Sequence, residues 1–133
     1  MSYQSPSVSG APVDNTCCGW SETGTVTGAT LTVSHALAAS QNHYLCGIAF
    51  SAWSTAGENP DELTAEIKDG TDTIWKVSFQ SSAIDDNTPS DSCHLFSLPH
   101  PIRITAGAKV DIVITGATGY ITTAYANIWG FTV

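Results

Sequence analysis

The sequence predicts an all-β protein: a single-domain, jelly-roll-like β-sandwich of about eight strands with an extended N-terminal arm. Three observations carry that expectation. Short runs that alternate apolar and hydroxyl residues recur along the chain, with Gly, Pro, Asn and Asp between them. Charged residues are only 12% of 133 positions, against a usual ~25%, while Ser, Thr, Gly and Ala are abundant. That is the composition of a sheet surface built from hydroxyls. Finally, LFSLPHPIRITAGAKVDIVIT (Leu95–Thr115) reads as strand, proline-locked corner, short strand, turn, strand. Pro99 and Pro101 fix φ and remove two backbone donors, which only a sheet edge or a crossing between two sheets can absorb. The expectation here is a crossing from one sheet to the other.

In chain order, residues 1–15 contain Pro6, Pro12 and four serines with no periodicity, and read as the arm. The sandwich is expected over residues 16–133. Cys17-Cys18-Gly19-Trp20 opens it, with Trp20 as a core or interface anchor. TVTGATLTVS (Thr25–Ser34) alternates hydroxyl with apolar residues and reads as one half-buried strand. HALAASQNH (His35–His43) is the only segment with helix-favouring content, and is too short for more than a loop with one helical turn. YLCGIAFSAW (Tyr44–Trp53) is almost continuously apolar, as in a strand covered on both faces. After the acidic loop Ser54–Glu62 comes the clearest hairpin signal. LTAEIKD sets Leu63, Ala65 and Ile67 on one face, Asp69-Gly70 supplies the turn, and TIWKVSF returns with Trp75, Val77 and Phe79 on one face. Glu66 and Lys76 are expected to face each other across that ladder. Ser81–Ser92 reads as a polar loop, and Tyr120–Val133 as a final strand paired into a sheet.

The formal net charge of −8, from four basic and twelve acidic residues, provides no basic footprint for nucleic acid and disfavours anionic membrane surfaces. No apolar run approaches the ~18 residues of a membrane span, and the first residues lack the charged and apolar regions of a secretory signal. Synthesis in a cytosol follows as the expectation, with Cys17, Cys18, Cys46 and Cys93 reduced. His43-x-x-Cys46 and Cys93-His94 offer ligand types suited to zinc, but Cys46 stands in the most apolar run, where cysteine is ordinarily a small hydrophobe. Asp85, Asp86 and Asp91, and likewise Glu58, Asp61 and Glu62, are read as solvated loop acids, with Ca²⁺ as the competing reading. No nucleophile elbow, P-loop or dinucleotide fingerprint is present. No catalytic residue, metal or cofactor is therefore assigned.

DGTDTIWKVSF, then HLFSLPHPIRITAGAKVDIVITG, then AYANIWGF resemble small structural proteins of tailed bacteriophages, over about Leu63–Val133, roughly half the chain. The resemblance implies a jelly-roll-like virion component without enzymatic activity, a decoration or minor capsid protein on the head shell, sometimes a trimer. Expected partners are the major capsid protein or another virion protein and further copies of the chain, with the virion as the location. Tyr3, Val8, Trp20 and Trp53 are the candidate interface residues. The competing reading is a glycan-binding sandwich for host adhesion, which predicts two or more coplanar exposed aromatic rings or a Ca²⁺ held by the acidic loops.

Overall fold

The computed structural model describes residues 19–36, 41–54, 62–85, 88–89, 93–116 and 122–133. These form ten strands: β1 (Trp20–Thr27), β2 (Leu31–His35), β3 (His43–Ser54), β4 (Glu62–Asp69), β5 (Asp72–Gln80), β6 (Ser82–Asp85), β7 (Thr88–Pro89), β8 (Cys93–Arg103), β9 (Val110–Thr115) and β10 (Thr122–Thr132). Eight of them have five residues or more, in keeping with the expected count. The N-terminal arm, with Tyr3 and Val8, lies outside the described residues, as do Cys17, Cys18 and residues 37–40 of the stretch given one helical turn.

The strands form two sheets. The first runs β1-β10-β3-β8, with β6 and then β7 beyond the far end of β3; the second runs β2-β9-β4-β5. Every pairing is antiparallel except a two-residue parallel contact between β3 and β6. Consecutive long strands alternate between the sheets along much of the chain, and the two strands nearest the C-terminus fill the sheet centres. This is jelly-roll order.

Side-chain alternation puts one row from each strand into the space between the sheets. Leu31 and Val33 of β2, Leu63, Ala65 and Ile67 of β4, and Val110, Ile112 and Ile114 of β9 meet Leu45, Ile48 and Phe50 of β3 and Ala124, Ala126 and Ile128 of β10. The β4–β5 hairpin forms as expected, with Gly70 at φ 64° in its turn and Glu66 opposite Lys76. Lys76 Nζ stands 3.2 Å from the Glu66 carboxylate and Lys68 Nζ 3.7 Å. The Lys76 hydrogen bond is the main reason that the Glu66 carboxyl is held below its usual range. β3 is buried or half-buried along its whole length, as its apolar run requires.

Three expectations need correction. Thr25–Ser34 is not one strand. The chain turns at Gly28, whose φ of 72° an L side chain resists, so β1 and β2 lie in different sheets. Within Thr25–Ser34, hydroxyls fall at odd positions up to Thr27 and at even positions from Thr30, so the alternation slips by one residue at Gly28-Ala29, and that slip marks the break. The Pro99–Pro101 corner is not where the chain changes sheets either. Both prolines lie within β8, at the edge of β3, where the ladder jumps from Ser97 opposite Gly47 to Ile102 opposite Leu45. A bulge absorbs the missing donors, and the crossing follows after Arg103. There Asp69 Oδ2 accepts the Thr105 hydroxyl at 2.8 Å, tying the new turn to the β4–β5 hairpin tip. The third correction concerns Ser81–Ser92, which is not wholly loop, because it contains β6 and β7.

Candidate functional site

The outer faces of the two sheets differ in kind. On the second sheet, Glu66, Lys68, Lys76 and Asp111 form an ionic ladder, with Lys109 Nζ 3.3 Å from the buried Asp111 carboxylate. On the first sheet, register and alternation point Ser21, Thr23, Thr25 and Thr27 of β1 outward beside Thr123, Tyr125, Asn127 and Trp129 of β10. Beyond them stand Ala49, Ser51 and Trp53 of β3, then Cys93, Leu95 and Ser97 of β8. Among the described residues, Arg103 at one end is the only charged side chain in these outward rows, and it donates to Asn42 Oδ1 at 2.8 Å.

This face is held by short local contacts. Thr27 and Thr123 hydroxyls lie 2.8 Å apart, and Ser21 Oγ donates to Asn127 Oδ1 at 3.1 Å. The Trp53 indole N–H donates to the Tyr125 hydroxyl at 3.4 Å, and Tyr44 stacks on Phe131 with ring centres 4.9 Å apart. Trp129 lies flat across β3 because its neighbour there is Gly47; a Cβ at that position would enter the indole ring. Tyr125 is 42% exposed and Leu95 68%. A shallow depression of about 120 Å³ opens beside Tyr125, lined by Thr23, Ala49, Ser51, Cys93 and Asn127 as well. Of the sequence-predicted interface residues, Trp53 stands on this face. Trp20 points inward at the end of the same sheet, and is half-buried.

There Trp20 covers a polar cluster that sequence reading missed. Its indole stacks on His35, with ring centres 4.0 Å apart and planes 5° from parallel. Glu22 Oε2 lies 2.7 Å from His35 Nδ1, His35 Nε2 lies 3.2 Å from His43 Nδ1, and the Thr132 hydroxyl lies 2.9 Å from that same His43 nitrogen. Glu22 accepts the His35 Nδ1–H, and of the two facing nitrogens, His35 Nε2 and His43 Nδ1, one donates to the other. Burial, and secondarily the neighbouring His35, hold the His43 pKa below its ordinary 6.5. His43 Nε2 and Trp20 Nε1 are buried without a hydrogen-bond partner among the described residues. A hydroxyl, two imidazoles and a carboxylate in a row suggest a proton relay, but the connectivity defeats one. A general base takes a proton at one ring nitrogen and is oriented through the other. Here Thr132 and His35 both meet His43 Nδ1, so the ring has no path between them. The cluster ties β1, β2, β3 and β10 together across both sheets, and its signal in the sequence is only that His35 ends one strand and His43 begins the next.

The zinc ligand types do not converge. His94 stands opposite Phe50, seven residues along β3 from His43, roughly 20 Å at the rise of a strand. Among the described residues, no three His, Cys, Asp or Glu side chains group to hold a metal ion. No protein-family model matches the chain, and no curated protein matches it.

Proposed function

We propose that this chain is a non-enzymatic structural protein of a virion, a decoration or minor capsid protein that docks on the head shell through the outer face of its first sheet. The observation that carries the reading is the charge asymmetry. A chain of net charge −8 has, among the described residues, one broad face whose outward rows carry no charge except Arg103, and covers it with hydroxyls, small side chains and rings. A face of this kind approaches another protein without desolvating ions, and exposed Leu95 and Tyr125 supply apolar contact. Jelly rolls serve as capsid domains, and the hairpin, proline and C-terminal motifs resemble those of phage structural proteins.

The test is binding to shells assembled from the capsid protein encoded alongside this chain. Saturable co-sedimentation of the purified protein is expected, reduced at least about tenfold in affinity by Leu95→Asp, which buries a carboxylate in the contact. Shells that sediment without the protein refute the proposal.

The depression beside Tyr125 favours a second reading, a neutral glycan site. An exposed ring next to Thr23, Ser51 and Asn127 supplies a stacking surface and uncharged hydrogen-bonding groups. Glycan-array binding lost in Tyr125→Ala, with no binding to shells, selects this reading over the first.

A further inference from the structure

Among the described residues, the eight long strands leave four lateral edges, β1, β8, β2 and β5, and three of these are blunted. β8 carries Pro99, Pro101 and a bulge; β5 carries Lys76 next to its ionic neighbours; β2 is only five residues long. These are the devices by which β-proteins prevent edge-to-edge pairing. β1 has no proline, lysine or bulge and is not short; its one such device is the inward charge of Glu22. It runs eight residues without Pro, Lys or Arg, and its register against β10 is unbroken from Trp20 to Thr27. Among the described residues it pairs on one side only. Its single charge, Glu22, points inward and is engaged by His35.

We propose that β1 is a pairing edge for a second copy of this chain, joined antiparallel about a two-fold axis near Gly24. A strand that pairs with its own copy must do so isologously. Centring on Gly24 keeps outward residues opposite outward ones, with Ser21 facing Thr27 and Thr23 facing Thr25 of the other copy. Threonine pairs of this kind suit antiparallel ladders. Glu22 falls opposite Val26, so no charge opposes its equal. That matters for a chain of net charge −8, whose copies repel through most other approaches. The first sheets of the two copies then form one continuous sheet, and their outer faces one platform. Seven residues of ladder make a small interface, so the dimer is weak and concentration-dependent. The inference does not depend on what the outer face binds.

The experiment is sedimentation equilibrium of the full-length chain over concentrations up to about 1 mM, a range that detects even millimolar association. A monomer–dimer equilibrium is expected. Thr23→Lys/Thr25→Lys places lysines directly opposite each other across the two-fold, and is expected to weaken the dimer roughly tenfold or more. Because this variant also lowers the net negative charge, weaker association cannot come from general repulsion. Both threonines are exposed, and unchanged circular dichroism confirms the fold. Thr32→Lys/Ser78→Lys on the other sheet makes the same charge change and leaves the dimer intact, as does Leu95→Asp. A monomer at every concentration, a trimer, or association indifferent to lysines at 23 and 25 overturns the proposal.

Discussion

Gly130→Ala tests the packing that joins the outer face to the histidine cluster. Gly130 lies in β10 at a register shift, where Trp129 faces Gly47 but Gly130 faces Leu45, so β3 has one extra residue. A Cβ at Gly130 would run into the Tyr44 carbonyl oxygen and meet the Trp20 ring. The Trp20 ring can rotate, but a backbone oxygen in the adjacent strand cannot move without parting β10 from β3. Overpacking of a filled interior costs about 1–3 kcal/mol, and loss of two neighbouring ladder bonds adds about 1 kcal/mol each. The total is about 3–5 kcal/mol, a large share of the ~5–15 kcal/mol that domains possess. At a urea m-value of about 2 kcal/mol/M, the unfolding midpoint falls by roughly 2 M. Gly107→Ala is the control. Nothing lies within 4 Å of its added Cβ, so only its φ of 77° resists the change, at about 1–2 kcal/mol. If both variants unfold at the same urea concentration, or Gly130→Ala matches the parent protein, the packing argument fails.

Acid should weaken the fold through His43. Its folded pKa lies below 6.5, so between those two values the unfolded chain binds the proton more tightly. The contribution is complete above about pH 6.5 and is lost as pH falls towards the folded value. Urea midpoints are expected to drop between pH 7.5 and 5.5 and to flatten in His43→Gln; a rise on acidification contradicts the assignment. Ile112→Ala, at a fully buried position of β9, should cost about 2–5 kcal/mol, whereas Ile74→Ala on the outer face of β5 should stay within about 0.5 kcal/mol. Equal urea midpoints for those two would reverse the inside and outside of the second sheet. Lys76→Met should remove little stability at pH 7, since exposed ion pairs contribute less than about 1 kcal/mol, yet raise the Glu66 pKa measured by NMR titration.

Local signals in the sequence located much of this fold. Alternation and Asp69-Gly70 define the β4–β5 hairpin, whose register depends only on residues close in sequence. The apolar run of β3 announces a strand covered on both sides. What the pattern cannot express is sheet membership. The phase slip at Gly28 marks a break within Thr25–Ser34, but pairing with β10 on one side and β9 on the other is decided by residues roughly 75 to 110 positions away. The proline pair correctly marked an edge, but a bulge and a crossing make the same demand on local sequence. The outer face was legible only through Trp53, because its lack of charge arises when four strands distant in sequence align. His35 and His43 were equally opaque: seven residues lie between them, and their contact exists only because β2 and β3 belong to opposite sheets.

The positions of β9 and β10 also govern when this protein can fold. Each is the middle strand of its sheet, β9 between β2 and β4 and β10 between β1 and β3. While a ribosome is still making residues 110–133, β1 and β2 have no neighbours and β3 and β4 each lack one. A nascent chain in that state has only the β4–β5 hairpin and the β3–β8 pair to form, one ladder from each sheet. The rest must wait for strands whose partners lie far back in the sequence, a topology that folds slowly. Until they arrive, Leu45, Ile48 and Phe50 of β3 lack the β10 row beside them, and the apolar surface left open favours contact with other copies of the chain.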